Sequence, residues 1–334
     1  MKNTISRSRR FFFRASALAA VALPLAAAIV PSARAEEFWL PGVSAAGGYI
    51  DINKSGDIFH GPDSKMCWAA TASNVIAWWQ SQAAASAIPA GTPRTQAEIY
   101  KAFTDSFKNV GRGTDVAWEW YFGGCNLSNI NYDGDSSNDV EGDFKISDPR
   151  NSGRYWEDYV NETCGWTSEG LPSWIKWGNL ADISADQLYA KNAAGVLADM
   201  LATGPVALSI VYGDSSKYPS GHAITLWGIE YEGELLKTIY FTDSDDYAEN
   251  ELITRTVTYN KEKIPEKVDP LDSTKVTPGW DKYWYSINLG GTATLSSWSA
   301  LALPVPVPEP SAFALLAGLG ALALAGTRRR RKKA

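Results

Sequence analysis

The 334-residue chain holds only two histidines, three cysteines and three methionines. His60 and His222 lie far apart, and neither stands at zinc-ligand spacing with the other or with Cys67, Cys125 or Cys164. A structural zinc cage, which needs closely spaced pairs of such ligands, is therefore not expected. No glycine-rich loop of the phosphate-cradling kind occurs, which argues against the nucleotide-binding classes. No stretch repeats, which argues against stacked-repeat architectures. Basic charge is scarce where it would matter: six Lys or Arg fall in residues 1–35 and six more in residues 328–333, while the acids nearly all lie between. That middle part is much more acidic than the formal −6 of the whole chain. Nucleic acid, whose phosphates need clustered positive charge, is accordingly not an expected partner. The acid-rich "YDGDSSNDVEGD" (132–143) fails as a calcium loop, with Asn138 where glycine belongs and Phe144 where the bidentate glutamate belongs. It reads as a solvated loop, and neither metal nor cofactor is expected.

What the chain does have is organised from both ends inward. Residues 1–35 join a basic start to an apolar run without acids and to small residues at Ala33 and Ala35, the pattern of a cleaved export signal. Within it "SRRFFFR", with Arg9 and Arg10 paired, resembles a twin-arginine signal. Residues 304–334 form a proline-stiffened stalk, an apolar run from Ser311 to Gly326, and six consecutive basic residues. The run is short against the ~20 residues of a spanning helix, and the arginines would hold its end cytoplasmic. With Val307-Pro308-Glu309-Pro310 at its head, this segment resembles the PEP-CTERM sorting tail. The resemblance implies an exported protein at the cell surface or outside it, a transient membrane anchor, and partners in the export and C-terminal sorting machinery.

Residues 36–303 show no linker and read as one domain. After Cys67, the residues Trp68, Ala72, Val75, Ile76 and Trp79 recur at three- and four-residue steps, which predicts a helix with one buried face. Asp63 and Ser64 offer capping oxygens ahead of it. Further helices are predicted over Thr95–Phe107 and Ala185–Ala202, and 111–166 reads as loop-rich. Beyond Gly204 the runs "PVALSIVYG", "HAITLWGIEYE", "LLKTIYFTDSD", "ELITRTVTY" and "KYWYSIN" predict consecutive strands. Helices followed by an antiparallel sheet give the α+β class.

The reactive groups follow from this layout. Cys67 opens a helix, where the positive end of the dipole and a nearby imidazolium would favour its thiolate. Cys125 and Cys164 sit in loop-like sequence, where they either pair as a disulfide or remain free. His222 begins one strand, the chain turns at Glu232-Gly233, and the returning strand ends at Asp243 and Asp245. A hairpin here brings either carboxylate within reach of the imidazole. A thiolate, an imidazole and an orienting acid constitute the nucleophile, the proton donor and its support. Attack on a carbonyl also needs donors for the oxyanion. The Cys67 N–H is one, and an ammonium or amide side chain can supply another. Fourteen tryptophans serve a core, or in part a sugar- or peptide-binding surface.

"KMCWAATASNVIAWW", "GHAITLWGIEY" and "IYFTDSD" resemble the signature blocks of the Mac/IdeS-type, immunoglobulin-degrading cysteine endopeptidases. The resemblance implies a papain-like fold, with an N-terminal helical part whose nucleophile helix packs on an antiparallel sheet. It assigns Cys67 as nucleophile, His222 as its partner, Asp243 as orienting acid and Asp245 as a second, supporting acid. "YIDINKSGD" resembles the family's oxyanion-lysine block and points to Lys54, although Lys65 lies closer to Cys67 in sequence. The expected activity is hydrolysis of peptide bonds in a protein substrate through a Cys67 thioester. Two alternatives use the same residues differently: an acyl transfer of the transglutaminase or amidase kind, or an inactive surface or matrix binding module.

Overall fold

The computed structural model describes residues 35–55, 61–123, 144–145, 152–163, 172–212, 221–245 and 250–306. The export signal, His60, Cys125, Cys164, the 132–143 stretch and the tail from Val307 lie outside these residues, as do the expectations placed on them. In chain order the elements are β1 (Glu36–Trp39), α1 (Cys67–Gln82), α2 (Gln96–Ser106), α3 (Thr114–Phe122), α4 (Glu157–Thr163), β2 (Ile175–Asn179), α5 (Ala193–Leu201), β3 (Val206–Tyr212), β4 (Gly221–Glu232), β5 (Leu235–Thr242), β6 (Ile253–Thr256), β7 (Thr258–Ile264), β8 (Lys267–Asp269), β9 (Asp272–Thr277), β10 (Trp280–Asn288) and β11 (Thr292–Leu301).

Nine strands form one antiparallel sheet in the order β6-β5-β4-β3-β11-β10-β7, with β1 added to β4 and β2 to β11, while β8 and β9 make a separate hairpin. Helices precede most of the sheet, so the class is α+β. The sheet curls, bringing β6 toward the end of β10, where Arg255 Nε donates to the Asn288 carbonyl at 3.0 Å. Gly233, at φ +61°, makes the tight β4–β5 turn that the Glu232-Gly233 pair predicted. The β4–β5 register shifts between Leu226 and Gly228, and the missing side chain at Gly228 makes room for Trp39: a Cβ there would stand 2.6 Å from the indole.

Helix α1 departs from its predicted single buried face. Every residue from Trp68 to Gln80 is buried, because α2 and α3 cover the sides that the sheet does not. Rings seal these junctions: Trp68 meets Phe107 edge-on at 5.2 Å, Phe107 meets Trp120 at 5.4 Å, and Trp79 meets Trp156 at 4.8 Å. Each such pair contributes about 0.5–1.5 kcal/mol beyond its buried area. Tryptophan therefore serves mainly the interior here, although Trp177 on β2 is 65% exposed.

Three further expectations are corrected. The helix predicted from Ala185 starts at Ala193, after a 3₁₀ turn over Ala190–Asn192. The fully buried Asp182 carboxylate holds the chain off a helical path there, accepting from Ala190 N at 2.9 Å and Tyr283 N at 3.0 Å. "ELITRTVTY" is two strands, since Val257 turns away to bond the Lys237 carbonyl. The stretch read as loop-rich contains α3 and α4.

Candidate active site

β4 carries the first site residue into the interior. His222 through Ile229 are all buried, so both faces of the strand are covered. β5 returns antiparallel with Thr225 opposite Thr242, and the chain then leaves the ladder into the turn holding Asp243 and Asp245. The hairpin thus sets that turn beside the start of β4. His222 Nε2 lies 2.6 Å from Asp243 Oδ1, and His222 Nδ1 lies 3.7 Å from Asp245 Oδ2. The Asp245 N–H donates to the same oxygen, Asp243 Oδ1, at 3.0 Å, which helps to fix the carboxylate.

α1 brings the sulfur to the same place. Asn74 on α1 donates to Thr225 Oγ1 at 3.1 Å and to Thr242 Oγ1 at 3.4 Å, locking the helix onto β4 and β5. The Cys67 sulfur is hydrogen-bonded to the His222 ring and accepts from the Ala223 N–H. With Nε2 held by Asp243, Nδ1 is the ring nitrogen left for the sulfur. The expected cap at the head of α1 is absent. Met66 is the N-cap residue and its side chain makes no cap bond, whereas Asp63 and Ser64 are engaged elsewhere. An apolar N-cap costs about 1 kcal/mol relative to serine or aspartate, and it leaves the first-turn N–H groups, Cys67's among them, without a capping oxygen.

Lys54, not Lys65, reaches the site. Its N–H donates to the Ser244 carbonyl at 3.0 Å, and its buried ammonium donates to the Ser64 carbonyl at 2.6 Å and pairs with Asp245 Oδ1 at 2.6 Å. Lys54 thereby joins the acidic turn to the loop that leads into Cys67. Lys65 is exposed, and its N–H bonds Asn109 Oδ1 instead. Asp63 completes the frame: its Oδ2 accepts from Ser55 N at 2.8 Å, Ser55 Oγ at 3.1 Å and Tyr100 OH at 2.8 Å, tying the segment that carries Lys54 to α2. Tyr100, Asn109 and the Ala223 N–H gave no signal in the sequence, because each reaches the site across a long stretch of chain. Asp63 did carry a signal, but its turn context pointed to helix capping.

Charge follows geometry. Burial by itself would push the Cys67 thiol up, but the His222 imidazolium, the bonds from His222 and Ala223, and the Lys54 charge outweigh it and hold the thiol below its ordinary 9.0. Burial likewise disfavours an imidazolium, yet the Asp243 and Cys67 charges raise His222 well above 6.5. Asp243 is buried too, and the His222 charge and hydrogen bond bring it below 3.8 despite that. These directions favour a thiolate–imidazolium pair backed by a carboxylate, a nucleophile beside a proton donor. His222, Asp243 and Asp245 also place one ligand atom each within 4.8 Å of one another, the donor set from which a metal could be held. A separate groove of about 520 Å³ beside α2, lined by Arg94, Glu98, Lys101, Asp105 and Tyr155 among others, includes none of these residues.

Comparison with known proteins bears on one part of the chain. Residues 306–331 match the family model of the PEP-CTERM protein-sorting motif, within the segment read above as a sorting tail. No curated protein matches the sequence. Among the described residues no helix is long and apolar enough to cross a membrane, and the apolar run from Ser311 to Gly326 lies outside them. The chain carries a PEP-CTERM sorting motif, and with it the mark of an exported protein sorted to the cell surface through its C-terminal segment.

Proposed function

We propose that the exported protein is a cysteine endopeptidase of papain-like fold that hydrolyses peptide bonds through a Cys67 thioester, as the resemblance to the Mac/IdeS-type enzymes implies. The observation that carries the reading is the alignment of Cys67, His222 and Asp243, with the sulfur on the ring and the ring 2.6 Å from the carboxylate. The Cys67 thiolate attacks the substrate carbonyl carbon, and the carbonyl oxygen becomes an alkoxide. The Cys67 N–H, free of a cap, meets that charge together with Lys54. An ammonium has three donors, so one remains for the substrate after Ser64 and Asp245. As the tetrahedral centre collapses, the C–N bond breaks and the leaving amine takes the proton from His222 Nδ1. Asp243 holds the ring through Nε2 during this step and keeps the tautomer fixed. Water then gives a proton back to Nδ1, attacks the thioester, and releases the acid and the Cys67 thiolate.

The test uses the purified protein and a peptide library prepared from a whole proteome. The wild type should create new amino termini, and Cys67→Ala should lower their rate of appearance by about 10⁴-fold or more. Equal cleavage by both proteins, or none by either, would remove the reading. Incorporation of an added free amine into the products would replace it with acyl transfer.

A further inference from the structure

The stalk of the sorting tail does not begin as a free tether. Residues 302–306 follow β11 but stay on the domain. Pro304 and Pro306 have no N–H and cannot extend the ladder, and the carbonyls of this segment find their donors elsewhere. Trp79 Nε1 donates to the Leu303 carbonyl at 2.9 Å, Tyr159 OH to the Pro304 carbonyl at 2.8 Å, and Ala84 N to the Pro306 carbonyl at 3.2 Å. Leu303 is buried, and Val305 packs against the core. The matched sorting motif starts at residue 306, where the last of these bonds is made.

We infer that, while the tail holds the protein to a bilayer, the C-terminal end of α1 and the uncharged loop after it form the face turned to the lipid headgroups, and the Cys67 end of α1 is held away in the aqueous phase. Reach comes first. Only Val307 to Pro310 separate the clamped segment from the apolar run at Ser311, a span of at most about 18 Å even when fully extended. An apolar run set in a bilayer therefore keeps Pro306 close to the headgroups. Pro306 is bonded to Ala84, just past the last residue of α1, and Cys67 is the first. The 16 residues of the helix set its two ends about 22 Å apart. Anchoring one end holds the other off the surface.

Charge agrees with reach. No Asp, Glu, Lys or Arg occurs from Met66 to Pro93, the stretch that holds α1 and the loop to which the stalk is clamped. Ser81, Gln82, Ala85 and Ser86 are exposed there, so neutral sequence meets solvent at the exit point. An anionic bilayer repels acidic surface within a Debye length of about 10 Å, and a neutral face lets the short reach be met. Asp158 and Glu162, exposed on α4 beside Tyr159, mark its limit. One consequence alone rests on the peptidase reading: the substrate is then a protein chain in the aqueous phase, not a segment within the bilayer.

The test reconstitutes the full chain in vesicles of phosphatidylethanolamine and phosphatidylglycerol that carry an acceptor dye on their headgroups. In a background of Cys67→Ala, Cys125→Ser and Cys164→Ser, a donor dye is attached through Ala85→Cys or, separately, through Lys65→Cys, both at exposed positions. Energy transfer should be stronger by about twofold or more from position 85, given the ~22 Å between the ends of α1. A flexible Gly-Ser segment inserted between Pro306 and Val307 should abolish the difference. Should the cysteine-free background fail to fold, Ala85→Lys in the otherwise unchanged protein takes its place. A bulky, membrane-impermeant amine reagent should then modify Lys65 at its usual rate and the new amine more slowly, until the Gly-Ser segment is inserted. Equal transfer or equal modification at the two positions, a difference that survives the insertion, or a protein that the vesicles do not retain overturns the inference. Proteolysis enters none of these readouts, so the peptidase reading stands or falls separately.

Discussion

β4 buries every residue from His222 to Ile229, whereas β7, at the far edge of the same sheet, buries none of its seven. β7 carries Lys261, Glu262 and Lys263 in succession, charges that keep an exposed edge from pairing with another chain. They are solvated and nearly interchangeable. On β4 and the turn after β5 the charges are few, and each is matched: His222 with Asp243, Asp245 with Lys54. Removed from water, such pairs interact more strongly, and an unpartnered member becomes costly. The two strands thus differ in composition as well as in place, the apolar one enclosed and the charged one open. Enclosure opposes each charge by itself, and the matched partners are what favour a thiolate and an imidazolium together on the inner strand.

The largest expected effect comes from removing the inner imidazole. The thiolate–imidazolium pair exists between the depressed Cys67 value, below 9.0, and the raised His222 value, above 6.5. In the wild type, iodoacetamide should label Cys67 fast at neutral pH and slow only as pH falls through the lowered thiol value. His222→Ala should move that midpoint up toward 9.0 and slow the neutral rate by about 10-fold or more. Turnover should also decline on the alkaline side, where the ring loses its proton. Linkage gives the matching signs for stability. The raised His222 value stabilises the fold fully below 6.5, and this is lost as pH rises through the folded value. The lowered Asp243 value stabilises it above 3.8, and this is lost as pH falls through the folded value. A labelling midpoint that His222→Ala leaves in place would break the contrast at its centre.

A smaller effect is expected about two turns deeper along α1. Besides the contacts of Cys67 with His222 and Ala223, Asn74 links α1 to the β4–β5 hairpin through Thr225 and Thr242, and Trp227 Nε1 also donates to Thr242 Oγ1 at 3.1 Å. Asn74→Ala strands buried hydroxyls where water cannot replace the amide. It should cost about 1–3 kcal/mol, read as a lower urea midpoint with an unchanged slope.

How far the chain could be read follows the same division. The β4–β5 hairpin was legible because its apolar runs flank a Glu-Gly turn, and this sufficed to bring Asp243 and Asp245 to His222. α2 was legible from its ends, with Thr95 and Glu98 forming a reciprocal capping box. α3, "TDVAWEWYF", was not, since eight of its nine residues are buried and no polar stripe marks a period. β11, "TATLSSWSAL", lies between β3 and β10, yet it is absent from the strands predicted above because its serines and threonines dilute the apolar pattern. β2 contains Gly178, where a Cβ would meet the Trp298 indole at 2.8 Å, so a break signal in the sequence is a packing requirement in the fold. At the site, Lys54 rather than Lys65 was settled by a carbonyl, that of Ser64, and no side-chain pattern encodes where a carbonyl points.

Asn260 offers the matched control for Asn74 on the outer strand. Its Nδ2 donates to the Thr258 carbonyl and to Ser286 Oγ, both at 2.9 Å, shorter than either bond of Asn74. Judged by bond lengths, Asn260→Ala should be the more damaging change. Judged by enclosure it should be the milder one, because β7 is open to solvent and water can satisfy the partners that the amide leaves. The expected cost is under about 1 kcal/mol, with no change in the labelling rate of Cys67, and the urea midpoints of the two variants measured side by side decide it. An equal loss at both positions would mean that the inner and outer strands are held by the same interactions, and that burial does not set the strength of the polar links in this sheet.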